Sequence, residues 1–186
     1  MTAEAEAVLE FVNTRAAAAG RRELFADAEG LAAWLADHER FGGADAVVTE
    51  ADAAVARELR DALVVVLLAH SGEEGVAGEP LRAAEDHLRR AGVLYPLASV
   101  IGAAGVRLTS PQSGVARVFG TVLAAVTEFA QRGEWKRVKA CRNPPCRSGF
   151  FDRTRNGAAL YCSSGCSAQV SMRKYRQRQR SASSGS

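Results

Sequence analysis

Four cysteines carry the strongest chemistry in this sequence. They stand in two close pairs, Cys141 with Cys146 and Cys162 with Cys166, with four and three residues inside the pairs and fifteen between them. Thiolates at such spacings, each pair straddling a tight turn, can converge tetrahedrally on one zinc ion. Asn143-Pro144-Pro145 and Ser163-Ser164-Gly165 supply the bends. Disulfides are the competing chemistry, and they belong to oxidising compartments. Met1 to Ala19 carries Glu4, Glu6, Glu10 and Arg15 in place of the unbroken apolar run of a secretory leader. The expectation is a cytoplasmic chain with reduced thiols and one bound Zn2+.

Four sulfur ligands close the coordination shell, whereas a catalytic zinc keeps a position open for water. The histidines, His38, His70 and His87, all lie far upstream, and Asp152 is the only carboxylate between the cysteines. The zinc is therefore expected to be structural, folding a segment too small to bury a core, and no enzymatic activity is expected.

Cations form the second constellation. From Arg132 to Arg180 there are thirteen Lys and Arg against Glu134 and Asp152, so this part carries +11 while the remainder carries −8, within a net charge of +3. Arg142 and Arg147 suit neutralisation of a zinc tetrathiolate, whose net charge is −2. Arg173, Lys174, Arg176, Arg178 and Arg180 crowd a final helical stretch that has no acidic residue. Phosphate-backbone binding accounts for such an excess, because each Lys or Arg displaces a condensed counterion. Arg153 and Arg155, in the turn between the cysteine pairs, join them as candidate nucleic-acid contacts. In the acidic part, Asn13 and Arg15 could line a ligand pocket, although an Asn bonding a neighbouring loop is the blander reading.

Which elements would position these groups? Helical periodicity covers Ala3 to Ala19, with Gly20 as its stop, and the stretch after Asp27, with Leu31, Trp34 and Leu35 buried. Thr49 and Asp52 open a capped central helix whose inner stripe would be Val55, Leu59, Ala62, Val66 and Ala69. His70 would cap its end. After a linker over Ser71–Glu79, a helix from Pro80 to Ala91 is expected, then a hairpin of Val93–Val100 with Val106–Thr109, then a helix over Gly114–Gln131 ended by Gly133. Trp135 and Val138 would dock the zinc module on the body, Phe150-Phe151 would fill its miniature core, and Cys162–Gln179 would form the last helix. Ser181–Ser186 reads as disordered. No apolar run reaches the ~18 residues of a membrane span, so no membrane partner is expected.

The pattern resembles the CGNR-type zinc-finger family, bacterial proteins in which an N-terminal helical domain of a stress-response type precedes a four-cysteine finger. The resemblance covers most of the chain. It rests on Phe11-Val12-Asn13-Thr14, on Trp135-Lys136-Arg137-Val138-Lys139-Ala140-Cys141, on Cys146, on Phe150 through Asn156, on Tyr161-Cys162-Ser163 with Cys166, and on Arg173-Lys174-Tyr175-Arg176. It implies a DNA-binding transcription regulator. One departure stands out: the family's Gly-Asn-Arg after the last cysteine is Ser167-Ala168-Gln169 here.

The expected architecture is mainly α with one small β-hairpin. A helical regulatory or dimerisation domain over 1–133 precedes a treble-clef-like four-cysteine module over 134–180 and a tail over 181–186. DNA is the expected partner, with a small-molecule effector and a homodimer as further possibilities. The alternative is an interaction adaptor whose finger binds an acidic protein or RNA without reading DNA sequence.

Overall fold

The computed structural model of the chain describes residues 1–16, 21–43 and 46–183, the last two of these as backbone. Ten regular elements follow one another: α1 (Ala3–Val12), α2 (Ala28–Asp37), α3 (Glu50–His70), α4 (Glu79–Leu94), β1 (Ala98–Gly102), β2 (Gly105–Thr109), α5 (Gly114–Gln131), β3 (Val138–Ala140), β4 (Gly149–Phe151) and α6 (Ser164–Ser183). The chain is mainly helical, and its strands form two separate antiparallel pairs, β1 with β2 and β3 with β4.

Local signals explain most boundaries. Thr2 and Asp27 accept from the backbone of the first turns of α1 and α2, and Thr49 with Asp52 completes a reciprocal capping box on α3. The helix over Gly114–Gln131 forms as expected. The first helix is shorter than its periodicity suggests, ending at Val12 with Asn13 as its C-cap. Its expected last turn and the Gly20 stop lie outside the described residues. Val93 and Leu94 are helical rather than part of a strand, because α4 runs on to Leu94 and Pro96 falls in the bend before β1. The final helix begins two residues after Cys162 and runs to Ser183, three residues into the stretch expected to be disordered.

The core centres on α3. Its buried positions are not the single stripe that periodicity suggests: Ala53, Ala56, Leu59, Arg60, Leu63 and Leu67 are enclosed, whereas Val55, Val66 and Ala69 are half-buried. The helix is packed from several directions, by α4, α2, α1 and β3, so one amphipathic face does not describe it. Arg60 is only 2% exposed; it pairs with Glu23 and Asp61 and lies over the ring of Phe25 at 5.7 Å. Val138 and Ala140 belong to the same hydrophobic cluster as α1, α3 and α5. The first strand of the cysteine module is thus a piece of the body's core.

Candidate zinc centre and its basic helix

The knuckle carrying Cys141 and Cys146 occupies the connection between β3 and β4. Its turn is closed by hydrogen bonds from the Cys146 and Arg147 amides to Asn143 O, and the Cys141 amide donates to Ser148 O at 2.8 Å. Arg147 takes a left-handed conformation, φ 49°, to bring the chain back into β4. The second pair brackets the start of α6, with Cys162 in the preceding turn and Cys166 in the first helical turn. The Cys166 amide donates to Ser163 Oγ at 3.2 Å.

All four Sγ atoms lie within 4.8 Å of one another. Cys146 to Cys162 is 3.6 Å and Cys162 to Cys166 is 3.7 Å, and none is joined in a disulfide. A tetrahedron with Zn–S bonds of ~2.3 Å has edges of about 3.8 Å, so the spacing fits the ion. Burial, then the neighbouring thiols, push the Cys162 thiol well above its usual range and burial raises Cys141. At Cys166, against burial, hydrogen bonds from Asn143 and Ser163 bring the thiol down to about 7. Four thiolates crowded together need a cation, and a divalent one supplies it. Cys141, Cys146, Cys162 and Cys166 would hold one structural zinc, which leaves no open position for substrate.

Around this centre the module is fastened by groups that carry no periodic signal. Lys139 is 3% exposed and Asp152 is 0% exposed. The Lys139 ammonium donates to Asp152 Oδ2 at 2.8 Å and to the carbonyls of Gly157 and Ala159. Asp152 also accepts from the amide and hydroxyl of Thr154 and from the amide of Ala159. Burial alone would raise its pKa; the Lys139 ammonium and those three donors outweigh burial and hold the carboxyl well below its usual range. With every lone pair engaged, Asp152 is a brace rather than a base. Arg137 donates to the carbonyls of Asp152, Thr154 and Arg155, so the turn that displays Arg153 and Arg155 is held by two cations from below.

A second set of bonds joins module to body. His70 does not cap its helix: Nδ1 donates to Val138 O at 2.8 Å and the ring meets Trp135 edge-on at 5.2 Å. Ser71 donates to Ala140 O at 2.7 Å. Glu73, inside the expected linker, receives Arg147 at 3.0 Å and Arg142 at 3.7 Å. Those arginines therefore answer a body carboxylate, where the sequence suggested the thiolates. Asn13 clasps the backbone of Gly149, accepting from its N–H at 2.9 Å and donating to its carbonyl at 3.1 Å, and its Oδ1 also accepts from Arg21 at 3.5 Å. Arg21 donates to Ser148 Oγ. A Cβ on Gly149 would come 2.6 Å from Val12 Cγ2, so only glycine lets β4 lie this close to α1. Arg15 sits in the turn after α1 and makes no hydrogen bond among the described residues. Phe151 leaves the zinc side and meets Phe129 of α5 at 6.1 Å, edge to face. The docking of Trp135 and Val138 and the bonding of Asn13 to a loop backbone are as the sequence suggests. Ser71, Glu73 and Arg21 carry no such signal, because each is a polar residue whose mate lies tens of residues away.

The basic helix behaves differently. Every residue from Ser171 to Ser181 is exposed, Arg153 and Arg155 are exposed too, and Lys174, Arg176 and Arg178 form no salt bridge among the described residues. Arg173 is the exception. It donates to Asn143 Oδ1, while Asn143 Nδ2 donates to Gln169 Oε1 at 2.9 Å. The Gln of Ser167-Ala168-Gln169 thus ties the helix to the first knuckle.

The fold and site define a helical protein carrying a zinc finger of the four-cysteine kind. The chain belongs to the ABATE family, whose model, described as "Putative stress-induced transcription regulator", matches residues 5–132; a second model, the CGNR zinc finger, matches residues 137–179. No curated protein matches the chain. Both families are those the sequence motifs suggest. No helix among the described residues is long and apolar enough to cross a membrane.

Proposed function

We propose that this zinc-binding regulator contacts DNA through α6 and the Arg153–Arg155 turn. The observation that carries the reading is the state of α6: at least three turns project from the finger with all residues exposed and with Lys174, Arg176 and Arg178 open to a polyanion. A cationic rod anchored at one end by zinc, Gln169 and Arg173 presents its charges in fixed register to a phosphate backbone. The turn braced by Arg137, Lys139 and Asp152 supplies a second contact point. The division of labour is a body over 1–133 and a finger over 134–180. Arg173 and Gln169 position the helix, and Arg153, Arg155, Lys174, Arg176 and Arg178 meet phosphate.

Fluorescence anisotropy of labelled duplex across a salt series tests this. The expected result is binding whose log affinity falls linearly with log salt at ~0.9 per phosphate contacted, with Arg176→Ala and Arg178→Ala each flattening the slope by about that amount. Absence of binding to any duplex at low salt by zinc-loaded protein defeats it. Binding to an acidic protein but to no nucleic acid selects the adaptor reading, which the engagement of Gln169 inside the finger favours over base recognition at that position.

A further inference from the structure

The acidic body carries a groove that matches the exposed basic helix. A channel of about 460 Å³ runs along α2, floored by Leu24 and by the 5% of Trp34 left exposed beside its stacked neighbour His38, with Gly30 and Ala33 leaving room and Glu29 and Asp37 on its rim. Gly30, Ala33, Trp34 and Asp37 follow helical spacing, so the channel tracks one face of α2. Gly30 is obligatory there, since a Cβ would lie 2.4 Å from Leu24 O. Glu29 and Asp37 are exposed and form no salt bridge among the described residues, and Leu24 is 42% exposed above the floor. Arg22 is the single Lys or Arg in the lining; of its four carboxylates Glu23 pairs with Arg60 and Asp27 caps α2, which leaves Glu29 and Asp37 as the open ones.

On α6, Met172 and Tyr175 are 51% and 57% exposed and lie on one side, one turn apart, with Arg176 beside them and Arg178 on the flank. An apolar pair edged by guanidiniums is the complement of an apolar floor edged by carboxylates. We propose that α6 of one copy of this chain docks in the α2 groove of a second copy, Met172 and Tyr175 against Leu24 and Trp34, Arg176 and Arg178 against Glu29 and Asp37. Charge complementarity chooses the occupant: the groove would repel an acidic partner or nucleic acid, and among the described residues the only basic rod is α6. The exposed stretch of α6, Ser171–Ser181, is no longer than helices that are marginal in water, and Lys174 repels Arg178 at i,i+4, so a carboxylate-lined seat stabilises it. The contact stands independently of the nucleic-acid reading. If both hold, they exclude each other, and the self-associated form is the one that cannot bind.

Sedimentation velocity on the full, zinc-loaded chain over a concentration series tests it. Association is expected at about 0.02 M salt and its loss at about 0.3 M. The groove reversal Glu29→Lys with Asp37→Lys should weaken association by about tenfold or more, as should the helix reversal Arg176→Glu with Arg178→Glu. Glu74→Lys with Glu85→Lys makes the same change in net charge elsewhere and should leave association intact. Mixing the two reversed variants should restore it, since each then offers what the other lacks. A chain monomeric at low salt, association indifferent to groove reversal, or no rescue on mixing overturns the proposal. Duplex binding by the groove-reversed variant, measured by anisotropy, reports separately on the nucleic-acid reading.

Discussion

The two longest helices, α3 and α6, have 21 and 20 residues and opposite environments. α3 is packed by α1, α2, α4 and β3, and even its Arg60 is enclosed and paired. α6 touches the rest of the molecule over its first three turns, through Cys166, Gln169 and Arg173, and is exposed thereafter. Burial is thus concentrated in the helix whose charges are mixed in sign, while α6 carries five Lys and Arg and no acidic residue. The zinc finger mediates between them, because β3 is core to α3 while the last two cysteines hold α6.

The largest perturbation of this contrast is removal of zinc. Structural zinc sites contribute ~10 kcal/mol or more of folding free energy at neutral pH, so chelation should unravel α6 and loosen β3 from α3. Circular dichroism and melting should show loss of helix together with a lowered melting temperature for the whole chain; an unchanged melt would mean that the body is indifferent to its finger. Next in size is the buried ion pair. Lys139→Met leaves Asp152 uncompensated at 0% exposure and should cost about 3–5 kcal/mol by urea unfolding, while the double change Lys139→Met with Asp152→Leu should recover part of it.

A direct comparison of the helices comes third. Leu63→Ala in α3 should cost about 2–5 kcal/mol, whereas Met172→Ala in α6 should stay within ~0.5 kcal/mol. Equal costs would show that α6 is covered. The smallest effect is a pH dependence at the seam. Burial, with Lys136 and Lys139 nearby, holds the His70 imidazole below its usual value despite its bond to Val138. The folded chain therefore binds fewer protons there than the unfolded one. This contribution is complete above about pH 6.5 and is lost as pH falls below it. His70→Gln should flatten the difference in melting temperature between pH 8 and pH 5.5.

Much of the site was legible without coordinates. Cysteine spacing fixed four ligands, because metal geometry demands pairs across turns, and charge counting found the rod. The helix over Gly114–Gln131 was readable because it has one buried face. Where several elements converge, period and burial part company, as on α3. Glu73 has the sequence surroundings of a linker and Arg142 those of a thiolate's counter-ion, and only the packing of Ser71–Glu79 against the knuckle makes them partners. Val93 and Leu94 carry strand-forming character, yet α4 continues through them since nothing in Gly92 or beyond forces a stop before Pro96.

Local chemistry by itself determined that this chain gathers four sulfurs around one ion and ends in a cationic helix, since ligand type, turn residues and sign of charge are properties of short segments. Only tertiary structure decided that the finger's first strand completes the body's core, that Lys139 and Asp152 are buried together, and that Asn13, His70, Ser71 and Glu73 form the seam. Those facts depend on which distant polar groups meet when α3 is enclosed, and a sequence fixes such meetings only through the whole packed chain.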